Sequence, residues 1–98
     1  MRRSESFDEY VSEQLNNLKF AQEYILALTE GEEGMSIEEA LRHTIGKMGI
    51  KEFSKKVKVA PPNIVRFLKE NVKTSPETLN KFLKPFGLKT EVVVKKVS

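Results

Sequence analysis

The sequence has no cysteine, and it has only one histidine, His43. The lack of cysteine excludes disulfides, thiolate zinc sites and a thiol nucleophile, and one histidine excludes a zinc site built on two histidines of one chain. No apolar run approaches the ~20 residues that cross a bilayer. The 98 residues are enough for one hydrophobic core but not for two. We therefore expect a small, soluble, cytoplasmic domain without a metal, a cofactor or an enclosed active site.

Charge is distributed unevenly along the chain. Residues 1–50 carry five basic and ten acidic side chains, a net charge of −5, whereas residues 51–98 carry twelve basic and four acidic side chains, a net charge of +8. Such a basic half suits a polyanion, because lysine and arginine release the counterions condensed on phosphates. Solvated lysines on helix faces are the alternative explanation. Nucleic acid is thus one of two interpretations of the charge pattern.

Apolar spacing and capping residues predict a mainly helical chain. Phe7, Val11, Leu15 and Leu18 form one apolar helical face, and the pair Asn16–Asn17 is expected to end or bend that helix. Capping residues and prolines mark the later helices. These helices are predicted to start at Ser36, Lys51, Pro61 and Ser75 and to end at Gly49, Val57, Leu68 and Lys84.

Valine is concentrated near the end of the sequence. Residues 90–97 predict a short strand, and an unpaired strand in a helical chain would find its simplest partner in a second copy of the chain. We therefore predict an all-α fold of about five helices with a short C-terminal β-strand. It is one domain over residues 1–98, with an N-terminal helical segment (1–34), a core (35–88) and a strand or tail (89–98).

Residues 49–68 have the spacing of a helix-turn-helix. This motif needs apolar residues that pack two short helices at a steep angle, and a small residue where the helices cross. Ser54 is the small residue, and the second helix begins at Pro61. The residues at the required offsets are Phe53, Ser54, Val57, Val59, Ile64 and Phe67.

The motif resembles the helix-turn-helix of XRE/Cro-type proteins, in a lambda repressor-like bundle. The resemblance extends over residues 15–94 to the HigA-type addiction-module antitoxins, a prophage-type DNA-binding family. It is carried by the order and separation of LKFAQEYILAL (residues 18–28), residues 37–49, residues 50–68 and TSPETLNKFLKPFGL (residues 74–88). It implies a cytoplasmic homodimer that represses transcription from palindromic operator DNA in a toxin–antitoxin system, with a small RNase toxin as a second partner and no membrane.

Two features depart from the family pattern. Lys58 stands where the family commonly has glycine, at a turn position that favours a positive φ. Pro61 and Pro62 stand at the start of the recognition helix, where related repressors have polar side chains that read bases. Proline offers only van der Waals contact there, for example with a thymine methyl group.

The second helix of the motif supplies the candidate base contacts. Arg66 suits a bidentate contact with guanine, and Asn63 suits adenine or a phosphate. Lysines around the motif suit phosphate positioning, and Thr74 adds a contact from the following loop. The predicted DNA-binding residues are Lys51, Lys55, Pro62, Asn63, Arg66, Lys69, Lys73 and Thr74.

A protein-interaction module is the alternative function. The acidic N-terminal helices or the Val-rich tail would then hold a toxin or another partner without specific DNA binding. An enzyme is a distant third possibility. His43 has no Cys or carboxylate at ligand spacing, and adjacent acids such as Glu38–Glu39 point about 100° apart on a helix. No catalytic residue is expected.

Overall fold

The computed structural model describes residues 10–11, 13–69 and 74–90. Every regular element in this part of the chain is helical, which confirms the predicted all-α class there. None of the helices in these ranges has the length and apolar character needed to cross a bilayer. The helices are α1 (Leu18–Thr29), α2 (Ile37–Met48), α3 (Ile50–Val57), α4 (Pro61–Phe67) and α5 (Pro76–Leu83), followed by a 3₁₀ turn (Lys84–Phe86).

Side-chain caps decide where three of these helices begin. The Asn17 side-chain oxygen accepts hydrogen bonds from the amides of Lys19 and Phe20, at 2.9 and 3.1 Å. Ser36 and Ser75 cap α2 and α5, each accepting from the amide three residues later. These oxygens satisfy amides that have no partner within the helix. The predicted interruption at the asparagine pair and the predicted starts at both serines are confirmed.

The prediction that Leu18 continues the apolar face of Val11 and Leu15 is wrong. Val11 and Leu15 are buried, but 48% of Leu18 is exposed. The helical backbone is interrupted at residues 15–17 and restarts at Leu18, so the angular phase of the side chains is reset. Phe7, the first residue of that predicted face, lies outside the described residues.

Gly49 separates α2 from α3 with no further linker. It has φ 97°, a conformation that favours glycine, and its amide donates to the Ile45 carbonyl at 2.7 Å. The predicted end of α2 at Gly49 is therefore confirmed. Beyond this glycine, α3 packs against α2.

Aromatic rings join the second half of the fold. The Phe53 ring of α3 lies 5.8 Å from Phe82 of α5 and 6.1 Å from Phe86 of the 3₁₀ turn, and Phe67 of α4 lies 4.9 Å from Phe82. All four are buried. The other buried apolar side chains are Val11, Leu15, Ala21, Ile25, Ala40, Leu41, Ile45, Met48, Val57, Ile64, Leu79 and Leu83.

The chain beyond the 3₁₀ turn returns to α5. The Thr90 amide donates to the Asn80 side-chain oxygen at 2.7 Å, and the Thr90 carbonyl accepts from the Asn80 side-chain nitrogen at 3.3 Å. Thr90 itself has no regular secondary structure. Residues 91–97 of the predicted strand lie outside the described residues, so the strand and its pairing with a second copy stay predictions.

Candidate nucleic-acid interface

The connection between α3 and α4 is three residues long, from Lys58 to Ala60. Lys58 adopts the left-handed conformation, with φ 57° and ψ 42°, and it alone among the described non-glycine residues has a positive φ. Its amide donates to the Ser54 carbonyl, and the Ser54 hydroxyl donates to the Val59 carbonyl. Ser54 therefore binds both sides of the turn, and the glycine-like geometry predicted at Lys58 is confirmed.

Helix α4 has one buried side and one exposed side. Ile64 and Phe67 are buried in the core. The remaining side chains of the helix and those next to its ends are open to a ligand, and they include four of the predicted DNA contacts. The exposed residues are Ala60, Pro61, Pro62, Asn63, Val65, Arg66 and Lys69.

The first turn of α4 presents no free amide. Pro61 and Pro62 have no N–H group, and the amides of Asn63 and Ile64 both donate to the Ala60 carbonyl, at 2.9 and 3.3 Å. The Asn63 side chain does not cap the helix. The surface formed by Pro61 and Pro62 therefore has apolar side chains and no backbone donor.

An open groove of about 1240 Å³ lies between the α3–α4 turn, one side of α4, and α5. Its lining includes Val57, Phe67 and Phe82 from the core. Five cationic side chains and no acidic side chain of the described residues line it, and none of the five forms an ion pair with another described residue. We call this the basic groove; its cations are Lys56, Lys58, Arg66, Lys81 and Lys84.

The basic groove brings together only part of the predicted set. Asn63, Arg66 and Thr74 line it. Lys51 and Lys69 are exposed but do not line it. The other two predicted lysines have different surroundings: Lys55 forms an exposed ion pair with Glu52, at 3.7 Å, and Lys73 lies outside the described residues.

Sequence reasoning missed four cations of the basic groove. It assigned lysines by their closeness to the helix-turn-helix, whereas Lys81 and Lys84 belong to α5 and the turn after it. The sequence does contain a pattern that indicates Lys81 and Lys84. Residues three apart lie on the same face of a helix, and this face is opposite to the one that buries Phe82 and Leu83. In α3 and the turn after it, the predicted DNA contacts are Lys51 and Lys55, whereas Lys56 and Lys58 are not in the predicted set.

Arg42 links α2 to the end of α4. Its Nε donates to the Phe67 carbonyl at 3.2 Å, and its guanidinium carbon lies 5.2 Å from the centre of the Phe67 ring. Glu38, one turn earlier, lies 3.6 Å from Nη2. A cation is favoured there because the last carbonyls of a helix carry partial negative charge. Arg42 thus fixes the position of α4 on the body of the protein.

His43 is half-buried, and its ring stacks on Tyr24 at 6.0 Å and 21°. No cluster of three or more His, Cys, Asp or Glu residues suited to a metal occurs within residues 10–11, 13–69 and 74–90. The contacts seen at His43 are those of a packed side chain.

The candidate interface is a positively charged groove beside an exposed short helix. Comparisons of the chain with protein-family models, curated proteins and solved structures give no match. The contacts, burial and charges given above are therefore the observations on which a function is proposed.

Proposed function

We propose that this protein is a sequence-specific DNA-binding transcriptional regulator. In this proposal α3 and α4 form a helix-turn-helix, and α4 is the recognition helix. The observation that carries the proposal is the basic groove, whose five cations lie beside the exposed side of α4 without an acidic neighbour in the lining. Lysine and arginine in such a groove neutralise phosphates.

The geometry supports base contacts by α4 and phosphate contacts by the basic groove. A recognition helix that lies in the major groove of DNA has a phosphate backbone along its side. Lys81 and Lys84 of the α5 side then suit that backbone, together with Lys58 from the turn. Arg66 belongs to both surfaces, because it is exposed on α4 and lines the basic groove. It is the side chain best suited to a bidentate contact with guanine.

We further propose an antitoxin-like homodimer, which rests on the family resemblance. A recognition helix of seven residues reads only a few bases, and two copies on a palindrome would double the site. Three exposed apolar side chains, Tyr10, Leu18 and Leu26, support a protein contact. They equally favour the second candidate function, a module that binds a toxin or another protein without specific DNA binding.

The salt dependence of binding to mixed-sequence duplex DNA tests the proposal. A protein that neutralises about six phosphates should lose roughly a thousandfold in affinity between 50 and 200 mM salt. Fluorescence anisotropy of a labelled mixed-sequence duplex measures this loss. Absence of binding at micromolar protein in low salt would contradict the proposal and favour the protein-interaction alternative.

Single charge removals test the role of the basic groove. Lys81→Gln and Lys84→Gln should each reduce the slope of log K against log salt by about one, since each removes one phosphate contact. Lys19→Gln is the matched control, because Lys19 is exposed on α1 and does not line the groove. Its slope should equal that of the unmodified protein. Equal losses from all three substitutions would mean that the groove has no special role.

A further inference from the structure

We propose that the first turn of α4 recognises thymine through its 5-methyl group. This inference rests on the proposed function, because it needs α4 to lie in the major groove of duplex DNA. It specifies the class of DNA ligand, namely duplexes that carry methyl groups on the floor of the major groove at the position where α4 binds. The surface concerned, which we call the methyl-reading surface, consists of Ala60, Pro61, Pro62 and Val65.

The methyl-reading surface can only make apolar contacts. All four residues are exposed, Val65 to 45%, and none has a side-chain donor or acceptor. Within the helix the first turn adds no free donor, because Pro61 and Pro62 have no N–H and the amides of Asn63 and Ile64 are bonded to the Ala60 carbonyl. The side chains of Pro61, Pro62 and Val65 therefore offer a ligand only carbon and hydrogen atoms.

Base chemistry selects the group that fits such a surface. On the major-groove floor adenine, guanine and cytosine present hydrogen-bond donors and acceptors, whereas thymine adds a methyl group. An apolar surface placed on a donor or acceptor removes water without replacing its hydrogen bond, which is unfavourable. The same surface placed on a methyl group buries apolar area, which is favourable. The methyl-reading surface therefore discriminates in favour of thymine.

Charge identifies the partner of this surface as a polyanion. Arg66 and Lys69 are exposed and follow this surface closely in the chain, and Ala60 also lines the basic groove with its five cations. An apolar protein partner would cover these cations without neutralising them, which costs free energy. Duplex DNA has methyl groups on the floor of the major groove and phosphates along the edges of that groove. It therefore offers both groups to one protein surface. An acidic protein surface is the competing outcome of the test.

Two pairs of duplexes of equal length separate methyl recognition from other contacts. The first pair is an alternating A–T DNA duplex and the same DNA duplex with deoxyuridine in place of thymidine. The two have the same hydrogen-bonding groups and differ only in the C5 methyl group. Alternating G–C duplexes with and without 5-methylcytosine place or omit a methyl group at the same groove position. In each pair the methylated duplex should bind more tightly, by roughly fourfold for each methyl group in contact. Anisotropy at one fixed salt concentration measures all four affinities.

Substitutions assign the effect to α4. Pro62→Ser should bring the affinity ratio within each pair towards one and leave the salt slope unchanged, because it removes apolar surface but no charge. Val65→Ser, at a partly exposed position, should act in the same direction if Pro62→Ser fails to fold. Pro76→Ala is the matched control, since Pro76 holds the corresponding first position of α5 and does not line the basic groove. In both pairs, Pro76→Ala should leave the ratio of the affinities for the methylated and unmethylated duplexes unchanged.

The outcomes for this inference and for the proposed function are distinct. Equal affinities within both pairs for the unmodified protein, with binding still salt-dependent, would overturn methyl recognition and leave DNA binding in place. Failure to bind any of the four duplexes in low salt would overturn both. Ratios above one that Pro62→Ser and Val65→Ser do not change would also overturn the assignment to this surface.

Discussion

Lys58 has two roles that impose different demands on one residue. Its backbone takes the left-handed conformation that ends α3, and in that conformation the Cβ of a non-glycine residue crowds the following carbonyl, at a cost of roughly 1 kcal/mol. Its side chain is one of the five cations of the basic groove. Glycine would suit the turn better, but it has no charge to offer a phosphate. Under the proposed function, the lysine at this position adds a phosphate contact at some expense of stability.

Lys58→Gly should separate these two roles. We expect the free energy of unfolding to rise by up to about 1 kcal/mol, because the strain of the left-handed conformation is relieved. We expect the salt slope of DNA binding to fall by about one, because a phosphate contact is lost. Urea unfolding and anisotropy measure the two effects.

The control for this substitution is Lys55→Gly, within α3. There the backbone is helical, so glycine should lower the free energy of unfolding by about 1 kcal/mol. A Lys58→Gly protein as destabilised as Lys55→Gly would mean that the turn conformation carries no strain.

Among the elements, α4 is short and depends on its neighbours for its position. Seven residues with a proline pair at the start are too few for a stable isolated helix. Ser54 of α3 holds the turn before α4 by a hydrogen bond to the Val59 carbonyl. Arg42 of α2 holds the other end through the Phe67 carbonyl and ring. Both ends of α4 are therefore tied to other helices, which keeps its exposed side in a defined orientation.

Arg42→Ala should lower the free energy of unfolding by about 1–3 kcal/mol. The substitution removes a hydrogen bond from a charged donor and the stacking on Phe67, and it leaves the Phe67 carbonyl without this partner. Urea unfolding followed by circular dichroism measures the change. Arg66→Ala is the matched control on exposed α4, and it should stay within about 0.5 kcal/mol of the unmodified protein. Equal effects of the two substitutions would argue against a link through Arg42.

For the molecule as a whole, the aromatic cluster holds the candidate interface together. Phe53, Phe67, Phe82 and Phe86 come from α3, α4, α5 and the 3₁₀ turn. The same elements, together with the α3–α4 turn that holds Lys58, supply the cations of the basic groove. The separation between Lys58 and Lys84 is therefore set by the packing of buried rings, since the two residues share no local element.

Phe53→Ala should lower the free energy of unfolding by about 3–5 kcal/mol, because a large buried ring is replaced by a cavity. That is a large part of the 5–15 kcal/mol that typically stabilises a domain. Thermal unfolding measures the loss. Phe20→Ala, at a half-buried ring of α1, should cost clearly less. A larger loss for Phe20→Ala would place the main core on the α1 side instead.

Local chemistry explains which parts of the fold were predictable. Ser36, Ser75 and Gly49 act within one turn of their own position, so their neighbours in the sequence are enough to place helix ends. Leu18 was assigned to the wrong face because the helix is interrupted at residues 15–17. The spacing of apolar residues does not show how far the phase of the side chains changes at such an interruption. Predicting the exposure of Arg66 and Asn63 succeeded because the buried side of α4 was readable from Ile64 and Phe67.

The sequence by itself determined the helical class, most helix boundaries and the apolar start of α4, because each depends on residues within a turn or two of one another. The tertiary structure alone decided which cations share a surface. Lys56 and Lys58 line one groove with Lys81 and Lys84 only because α5 packs against α3. Closeness of charges across such a fold depends on the packing of the whole core, and no short-range pattern in the chain encodes it.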